Sequence, residues 1–211
     1  MSLNKGLTLA LPKGRLEKPI RKYLEDRGFT VHFDDRKLVL HDVSGELCIF
    51  LVKNTDLPTY VHHGIAGMGI CGDDLLYETN YPLYKIMPLP FGSTQLCLAA
   101  KEEDKGHHKI MNQARLRVAS KFTRFTKNYF HKQDIPVDVI KLNGSVELAA
   151  VLELAPYIVD LVETGETLRA NKLKIVKKLR TVRVYLVANS AYFKYNYTQI
   201  MKFIKRLAMA D

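Results

Sequence analysis

The stretch Tyr157-Ile-Val-Asp-Leu-Val-Glu-Thr-Gly-Glu-Thr-Leu-Arg-Ala-Asn171 reads as a buried strand, a tight turn and the start of a helix. Ile158, Val159, Leu161 and Val162 form the β-branched and apolar run of a parallel-sheet strand, and Thr164, Gly165, Glu166 and Thr167 supply the turn. Leu168, Arg169 and Ala170 then continue helically. Backbone N–H groups left free at such a helix start, with two threonine hydroxyls beside them, make a cradle for phosphate. Asp160 and Glu163 would repel a phosphate they faced, so beside it they accept hydrogen bonds from sugar hydroxyls or hold a cation. The combination suggests a ribose 5-phosphate site. An ordinary capped helix, with Glu163 compensating the helix dipole, has the same local sequence, so the decision rests on the rest of the chain.

Outward from this stretch the chain alternates between strand and helix patterns. Residues 7–11 are a short apolar strand ending in Pro12-Lys-Gly-Arg15, and residues 16–28 follow with helical spacing that stops at a glycine. Lys13 and Arg15 around Gly14 thus sit at the carboxyl end of a strand, the edge where open α/β sheets bind ligands, and they suit a polyphosphate. Residues 31–41 and 45–52 read as strands, with Arg36 in the first and Lys53 just after the second. A helix is expected to open near Asp56-Leu-Pro58. The block Gly64-Ile-Ala-Gly-Met-Gly-Ile-Cys-Gly-Asp-Asp-Leu-Leu-Tyr-Glu78 reads as a strand closed by Gly72 and a helix opened by Asp73 and Asp74. Its glycines lack the dinucleotide-binding spacing, although backbone approach to a flat nucleobase at Gly69 to Gly72 is in keeping with them.

Strands at 83–89 and 94–100 and a polar loop at 101–109 lead into a second alternating series. It comprises strands at 116–119, 137–142 and 158–162, helices near 124–131, from Ser145 and from Thr164, and one long strand within 174–187. Such alternation predicts parallel α/β layers in both halves. Ser145 reads as an N-cap with Glu147 in the first helical turn. Residues 195–209 carry a helical apolar stripe.

The 211 residues suffice for one large domain or two small lobes, and no apolar run is long enough to span a bilayer. With no apolar leader evident, a soluble, cytoplasmic protein is expected. Cys48, Cys71 and Cys97 are far apart and read as core residues, with Cys71, inside a glycine-rich turn, the one placed to line a pocket. Neither they nor the adjacent pairs His62-His63 and His107-His108 form a metal-ligand set, so no protein metal site is expected. A net charge of +10, from 32 basic and 22 acidic residues, calls for acidic partners: nucleic acid, a membrane surface or polyphosphate substrates. The basic run at 172–183 alternates with apolar residues as a half-exposed strand does and carries no aromatic residues for stacking bases, which argues against nucleic acid.

Five blocks, Leu9-Ala-Leu-Pro-Lys-Gly-Arg-Leu16, the Gly64 to Glu78 segment, Arg117-Val-Ala-Ser-Lys-Phe122, Leu142-Asn-Gly-Ser-Val-Glu-Leu-Ala149 and Val159 to Asn171, closely resemble ATP phosphoribosyltransferase in order and spacing. The resemblance implies an α/β fold of two lobes like the type II periplasmic binding proteins, with an active-site cleft between them. Lobe I would comprise 1–90 plus 180–211, and lobe II 91–179 with the phosphoribosyl pyrophosphate loop. It implies transfer of phosphoribosyl from phosphoribosyl pyrophosphate to N1 of ATP, with release of pyrophosphate, the first step of histidine biosynthesis. Mg2+ would be bound through substrate phosphates. The length resembles the short form, which acts in a hetero-oligomer with a histidyl-tRNA-synthetase-like regulatory subunit, without nucleic acid or membrane partners.

By the same resemblance, Lys13, Arg15, Arg36 and Lys53 serve the phosphates and leaving group. Thr164, Gly165, Glu166 and Thr167 serve the 5-phosphate, and Asp160 and Glu163 the ribose. Gly14, Gly69, Gly72, Asp73, Asp74 and, in the cleft, Glu147 serve ATP. Lys53 stands where the family generally has arginine, which keeps the charge but loses the bidentate fork. Gly67 replaces a usual aspartate, and Glu153, Pro156 and Lys172 replace a usual glycine, aspartate and glycine, changes expected to affect local stability more than chemistry. A non-enzymatic two-lobe module that senses a small ligand is the rival reading, because fold does not fix function.

Overall fold

The computed structural model describes residues 6–33, 36–103 and 115–208. The chain divides into two compact units, Met1–Gly92 with Arg183–Asp211, and Ser93–Val182. In chain order the elements are β1 (Leu7–Pro12), α1 (Glu17–Glu25), β2 (Val39–His41), β3 (Leu47–Val52), α2 (Leu57–His62), β4 (Met68–Gly72), α3 (Asp73–Thr79), β5 (Tyr84–Pro88) and β6 (Thr94–Lys101). Next come β7 (Leu116–Ser120), α4 (Thr123–His131), β8 (Val137–Lys141), α5 (Glu147–Val151), β9 (Tyr157–Val162) and α6 (Glu166–Ala170). The last are β10 (Leu173–Val182), β11 (Val184–Ala188), α7 (Ser190–Tyr195) and α8 (Tyr197–Ala208).

Unit 1 is a six-stranded sheet in the order β2-β3-β1-β4-β11-β5. Strand β1 is buried along its whole length and pairs parallel with β3 and β4. Its side chains alternate between faces: Leu7, Leu9 and Leu11 join Ile20 and Leu24 of α1 and Phe203 and Leu207 of α8, while Ala10 faces Leu57 and Val61 of α2. Helices on both faces are why β1 reads as a continuous apolar run. Its one polar side chain, Thr8, is satisfied, since its hydroxyl accepts from Gly67 N at 2.8 Å.

Unit 2 is a five-stranded sheet in the order β10-β6-β9-β7-β8. One face gathers Leu96, Leu98, Val118, Tyr157 and Val159 against Phe122 and Phe130, beside α4. The other gathers Cys97, Ala99, Ala119, Ile158 and Val162 against Val146, Ala149 and Ala150 around α5 and Leu168 of α6. Strand β10 is interrupted by irregular pairing between Ile175 and Lys177 and between Lys178 and Arg180.

Several expectations change. The layers are mixed, not parallel throughout: β11 runs antiparallel to β4 and β5, and β6 antiparallel to β9 and β10. The long strand expected within 174–187 is two strands in two sheets. Their junction is held by Asp73, whose N–H donates to Arg183 O at 2.9 Å and whose Oδ1 accepts from Arg183 N at 3.2 Å. Among the described residues of the strand expected at 31–41, Val39–His41 forms one and Val31 is bridged singly to Asp42, while the charged side chains Arg36 and Lys37 are exposed and build no buried face. Ser145 does not cap its helix through its side chain: it takes a positive φ of 47°, and Val146 precedes the first helical residue. Cys71 is enclosed in the core of unit 1, where burial pushes its thiol well above the usual range. Residues 104–109 of the expected polar loop, with His107 and His108, lie outside the described residues, as does Met209 at the end of the last helical stripe.

Glu153 and Lys172, at two positions where the resemblance implies glycine, both hold positive φ, 63° and 54°. Lys172 follows the C-cap of α6, the position at which glycine commonly ends a helix. An L side chain there costs about 1 kcal/mol, so Lys172→Gly is expected to raise thermal stability by roughly that amount, measured as a shift of the unfolding midpoint.

Candidate active site

Strand geometry gathers the cations of unit 1 at one sheet edge. In the parallel pair β1 and β3, Pro12 lies opposite Val52, so the next residues, Lys13 and Lys53, emerge side by side. Lys13 N donates to Val52 O at 2.8 Å, which extends the ladder by one rung. Strand β2 runs antiparallel to β3, and Leu51 N donates to Leu38 O at 2.8 Å, so the chain before β2 carries Arg36 toward that same edge. All three side chains are exposed. Gly14 adopts a φ of 97°, which lets the chain turn from β1 toward α1, and Arg15 donates from Nη2 to Gly92 O at 3.3 Å.

The other expected residues of unit 1 divide. Gly72, Asp73 and Asp74 follow β4 to the same edge, because β4 is parallel to β1, but both aspartates are buried and Asp73 is engaged with Arg183. Gly69 lies back within β4. A Cβ there would come within 2.8 Å of Leu57 and Val61 of α2, so its missing side chain makes room for a helix.

In unit 2 the opening stretch forms β9, a turn and the short helix α6. Thr94 Oγ1 donates to Val162 O at 3.0 Å, anchoring the end of the strand. Gly165 takes a φ of 75° and precedes α6, Arg169 donates from Nη1 to Thr164 O at 3.1 Å, and Glu166 N approaches Thr164 Oγ1 at 3.4 Å. The turn is therefore preshaped, with Glu163, Thr164, Glu166 and Thr167 exposed around it.

Asp160 lies one strand position from Leu161, whose N–H donates to its Oδ1 at 2.8 Å. Burial pushes its carboxyl pKa up to about 6, helped by the charge of Glu147 and opposed by the Leu161 hydrogen bond and by Lys121. Glu147, at the first position of α5, is thus electrostatically coupled to Asp160.

A cavity of about 430 Å³ opens beside the turn, floored by Cys97, Val162 and Leu168 and edged by Glu163, Thr164, Gly165, Gln95, Arg169 and Lys178. Gln95, Arg169 and Lys178 were not singled out from the sequence. Gln95 and Lys178 become neighbours of the turn only through the pairing of β6 with β9 and β10. Lys121, at the end of the Arg117–Phe122 segment, is brought near the strand of Asp160 only by the pairing of β7 with β9. Among the described residues no group of three or more His, Cys, Asp or Glu side chains gathers as a metal-ligand set, and no helix is long and apolar enough to cross a membrane.

Comparisons with known proteins agree with one another. A family model described as HisG: ATP phosphoribosyltransferase matches residues 53–209. The chain is 37% identical over 205 residues to the ATP phosphoribosyltransferase of Brachyspira hyodysenteriae, covering 95% of this chain and 98% of that one. It is 38% identical over 210 residues to that of Listeria innocua, covering 98% and 96%. In three dimensions it is similar to a chain of the ATP phosphoribosyl transferase (HisG:HisZ) complex from Thermotoga maritima, with a TM-score of 0.81 and 31% identity over 95% of this chain and 96% of that one. The chain belongs to the ATP phosphoribosyltransferase family.

Proposed function

We propose that the family's reaction is carried out here by cations of unit 1 and by the phosphoribosyl turn and carboxylates of unit 2. As a member of that family the chain is a pentosyltransferase acting at the first step of histidine biosynthesis. Adenine N1 of ATP attacks the anomeric carbon of phosphoribosyl pyrophosphate, an N–C bond forms, and the C–O bond to pyrophosphate breaks with its electron pair leaving on oxygen. The ring nitrogen already holds a lone pair, so no strong base is required and the barrier is lowered by positioning and by stabilising the departing charge.

Lys13, Arg15, Arg36 and Lys53 take the phosphates and leaving group. Thr164, Gly165, Glu166 and Thr167 hold the 5-phosphate, and Asp160 and Glu163 accept from ribose hydroxyls. Gly14, Gly69, Gly72, Asp73, Asp74 and Glu147 complete the ATP assignment, with Gly69 and Asp73 contributing through packing and the strand junction. The observation that carries this reading is the preshaped turn after Val162, with Asp160 beside it, in a chain that matches the family along almost its whole length. That match disfavours a purely ligand-sensing module.

When bound through the substrate's phosphates, Mg2+ would supply charge neutralisation to them. The hard carboxylate oxygens of Asp160 and Glu163 fit an ion that keeps most of its shell on substrate and water. The Thermotoga maritima neighbour is a HisG:HisZ complex, and a regulatory partner subunit in a hetero-oligomer, in the cytoplasm, is carried over to this chain.

Incubating the chain with ATP, phosphoribosyl pyrophosphate and Mg2+, with and without the partner subunit, is expected to release pyrophosphate stoichiometrically with phosphoribosyl-ATP. Absence of release under both conditions would remove the assignment.

A further inference from the structure

We propose that the cavity beside the phosphoribosyl turn is an effector site for a small organic anion with a flat apolar body, whose carboxylate takes Arg169 away from the turn and so weakens the binding of phosphoribosyl pyrophosphate. The coupling, though not the cavity, rests on the reading of that turn as the 5-phosphate cradle. The effector's place is distinct from the substrate's in that reading. The walls of the cavity come entirely from unit 2 and include the turn residues Glu163, Thr164 and Gly165, while Asp160, Glu166 and Thr167 lie outside them.

Strand register builds the floor. Across β9, β6 and β10, Gln95 lies between Val162 and Thr181, Cys97 between Asp160 and Lys178, and Ala99 between Ile158 and Ile175. Side chains of a strand alternate, and paired residues share a face. Ala99 and Ile158 pack with Ala149 and Ala150 of α5. The strip toward β10 opens as the cavity of about 430 Å³, floored by Cys97, Val162, Leu168 and Leu173, with the partly exposed Ile175 at its rim. Pairing is irregular on both sides of Lys177 and Lys178, and Lys177 Nζ sits 5.6 Å from the ring centre of Tyr129, which packs on the other face, so Lys178 is left to this one. A cavity of this volume, with an apolar floor and a few polar groups around it, has the make-up of a small-molecule pocket.

The charges decide the kind of ligand. Arg169, Lys174 and Lys178 face Glu102 and Glu163 around the walls, a small surplus of positive charge that matches a monoanion better than a polyphosphate. Lys174 is engaged at the end remote from the turn, where its Nζ donates to Glu102 O at 2.7 Å, so an anion is drawn to the end that holds Arg169 and Lys178. There Arg169 Nη1 donates to Thr164 O at 3.1 Å and lies against Gly165, where an added Cβ would stand 3.3 Å from it. The guanidinium thus braces the left-handed residue of the turn, with its φ of 75°. A carboxylate accepts from a guanidinium through two parallel bonds, each roughly twice as strong as a bond between neutral groups, so a carboxylate in the cavity displaces Thr164 O from Arg169. The turn then loses its brace. By linkage, bound phosphoribosyl pyrophosphate weakens the effector by the same factor.

The probe is 2-naphthoate, with the uncharged 2-naphthamide as control, on the chain with its partner subunit. Ligand-observed NMR is expected to give 2-naphthoate a Kd of about 1 mM, the scale for a ligand of this size, and the amide binding weaker by about tenfold or more. Ile175→Trp, which fills the cavity from its rim, is expected to abolish binding and to leave turnover without the probe unchanged. Lys178→Glu is expected to weaken the acid and not the amide. Saturating 2-naphthoate is expected to raise KM for phosphoribosyl pyrophosphate about fivefold with kcat unchanged. Arg169→Met should raise that KM without the probe and remove the response to it. No binding at about 10 mM, or binding that survives Ile175→Trp and Lys178→Glu alike, overturns the site. Binding confined to the cavity with an unchanged KM, while Thr167→Ala still raises that KM, overturns the proposal and leaves the reading of the turn standing. A KM that neither the probe nor Thr167→Ala moves removes both.

Discussion

Lys13→Met is expected to lower kcat by about 10²-fold to 10³-fold, the usual consequence of removing one preorganised donor from a site where charge develops. The side chain is exposed at the carboxyl end of the central strand of unit 1, and its backbone is fixed by the bond from Lys13 N to Val52 O. Methionine keeps the aliphatic stem and the rung of the ladder, so the unfolding midpoint should stay within the scatter of an ordinary surface substitution. The loss should fall on kcat more than on KM, because pyrophosphate gains charge as the bond breaks. A variant that keeps kcat within about threefold would move Lys13 out of the leaving-group assignment, since one charge-assisted hydrogen bond is worth more than that. Lys53→Arg is the companion experiment. It supplies the arginine that the resemblance implies at this position, with its fork geometry, and it should preserve turnover or raise it.

Gly67→Ala is expected to destabilise unit 1 by about 3 kcal/mol, combining overpacking with an orphaned buried donor. A Cβ at this position would overlap the ring of Tyr192. The ring cannot step aside freely, because Tyr192 Oη accepts from the buried Thr8 N at 3.0 Å and the neighbouring Gly67 N is bound to Thr8 Oγ1. Displacing Tyr192 therefore leaves a backbone N–H of β1 without its acceptor. For a chain of this size the effect corresponds to a fall of about 6–12 °C in the unfolding midpoint. Tyr192→Ala in the same chain makes room for the added methyl. The two substitutions should then be strongly non-additive in a double-mutant cycle, and additive effects would show that the ring is not what excludes a side chain at 67. Gly67 is thus a packing partner of Tyr192 in α7.

Where local sequence carries the whole cause, the reading and the structure coincide. Leu7 to Pro12 is apolar because helices cover both its faces, and the turn after Val162 has the glycine that its left-handed backbone requires. Where the cause is the register between distant strands, the reading stops short. Nothing in the residues around Ser120 says that its strand partner is Val159, and nothing in the run 172–183 says that Lys178 borders the cavity beside Thr164. Arg183 looks like one more cation in a basic strand until its backbone is seen holding Asp73 at the point where the chain changes sheets.

The sequence by itself determined the α/β alternation and the positions of the main turns. Each follows from hydrophobic period, turn chemistry and charge within a few residues. Only the tertiary structure decided that Lys13 and Lys53 emerge side by side, that the sheets are mixed, that Gly69 makes room for α2, and that burial raises the Asp160 carboxyl. Those outcomes depend on which strands pair and in what register, and pairing is set by burial summed over a whole sheet, a quantity no single stretch contains.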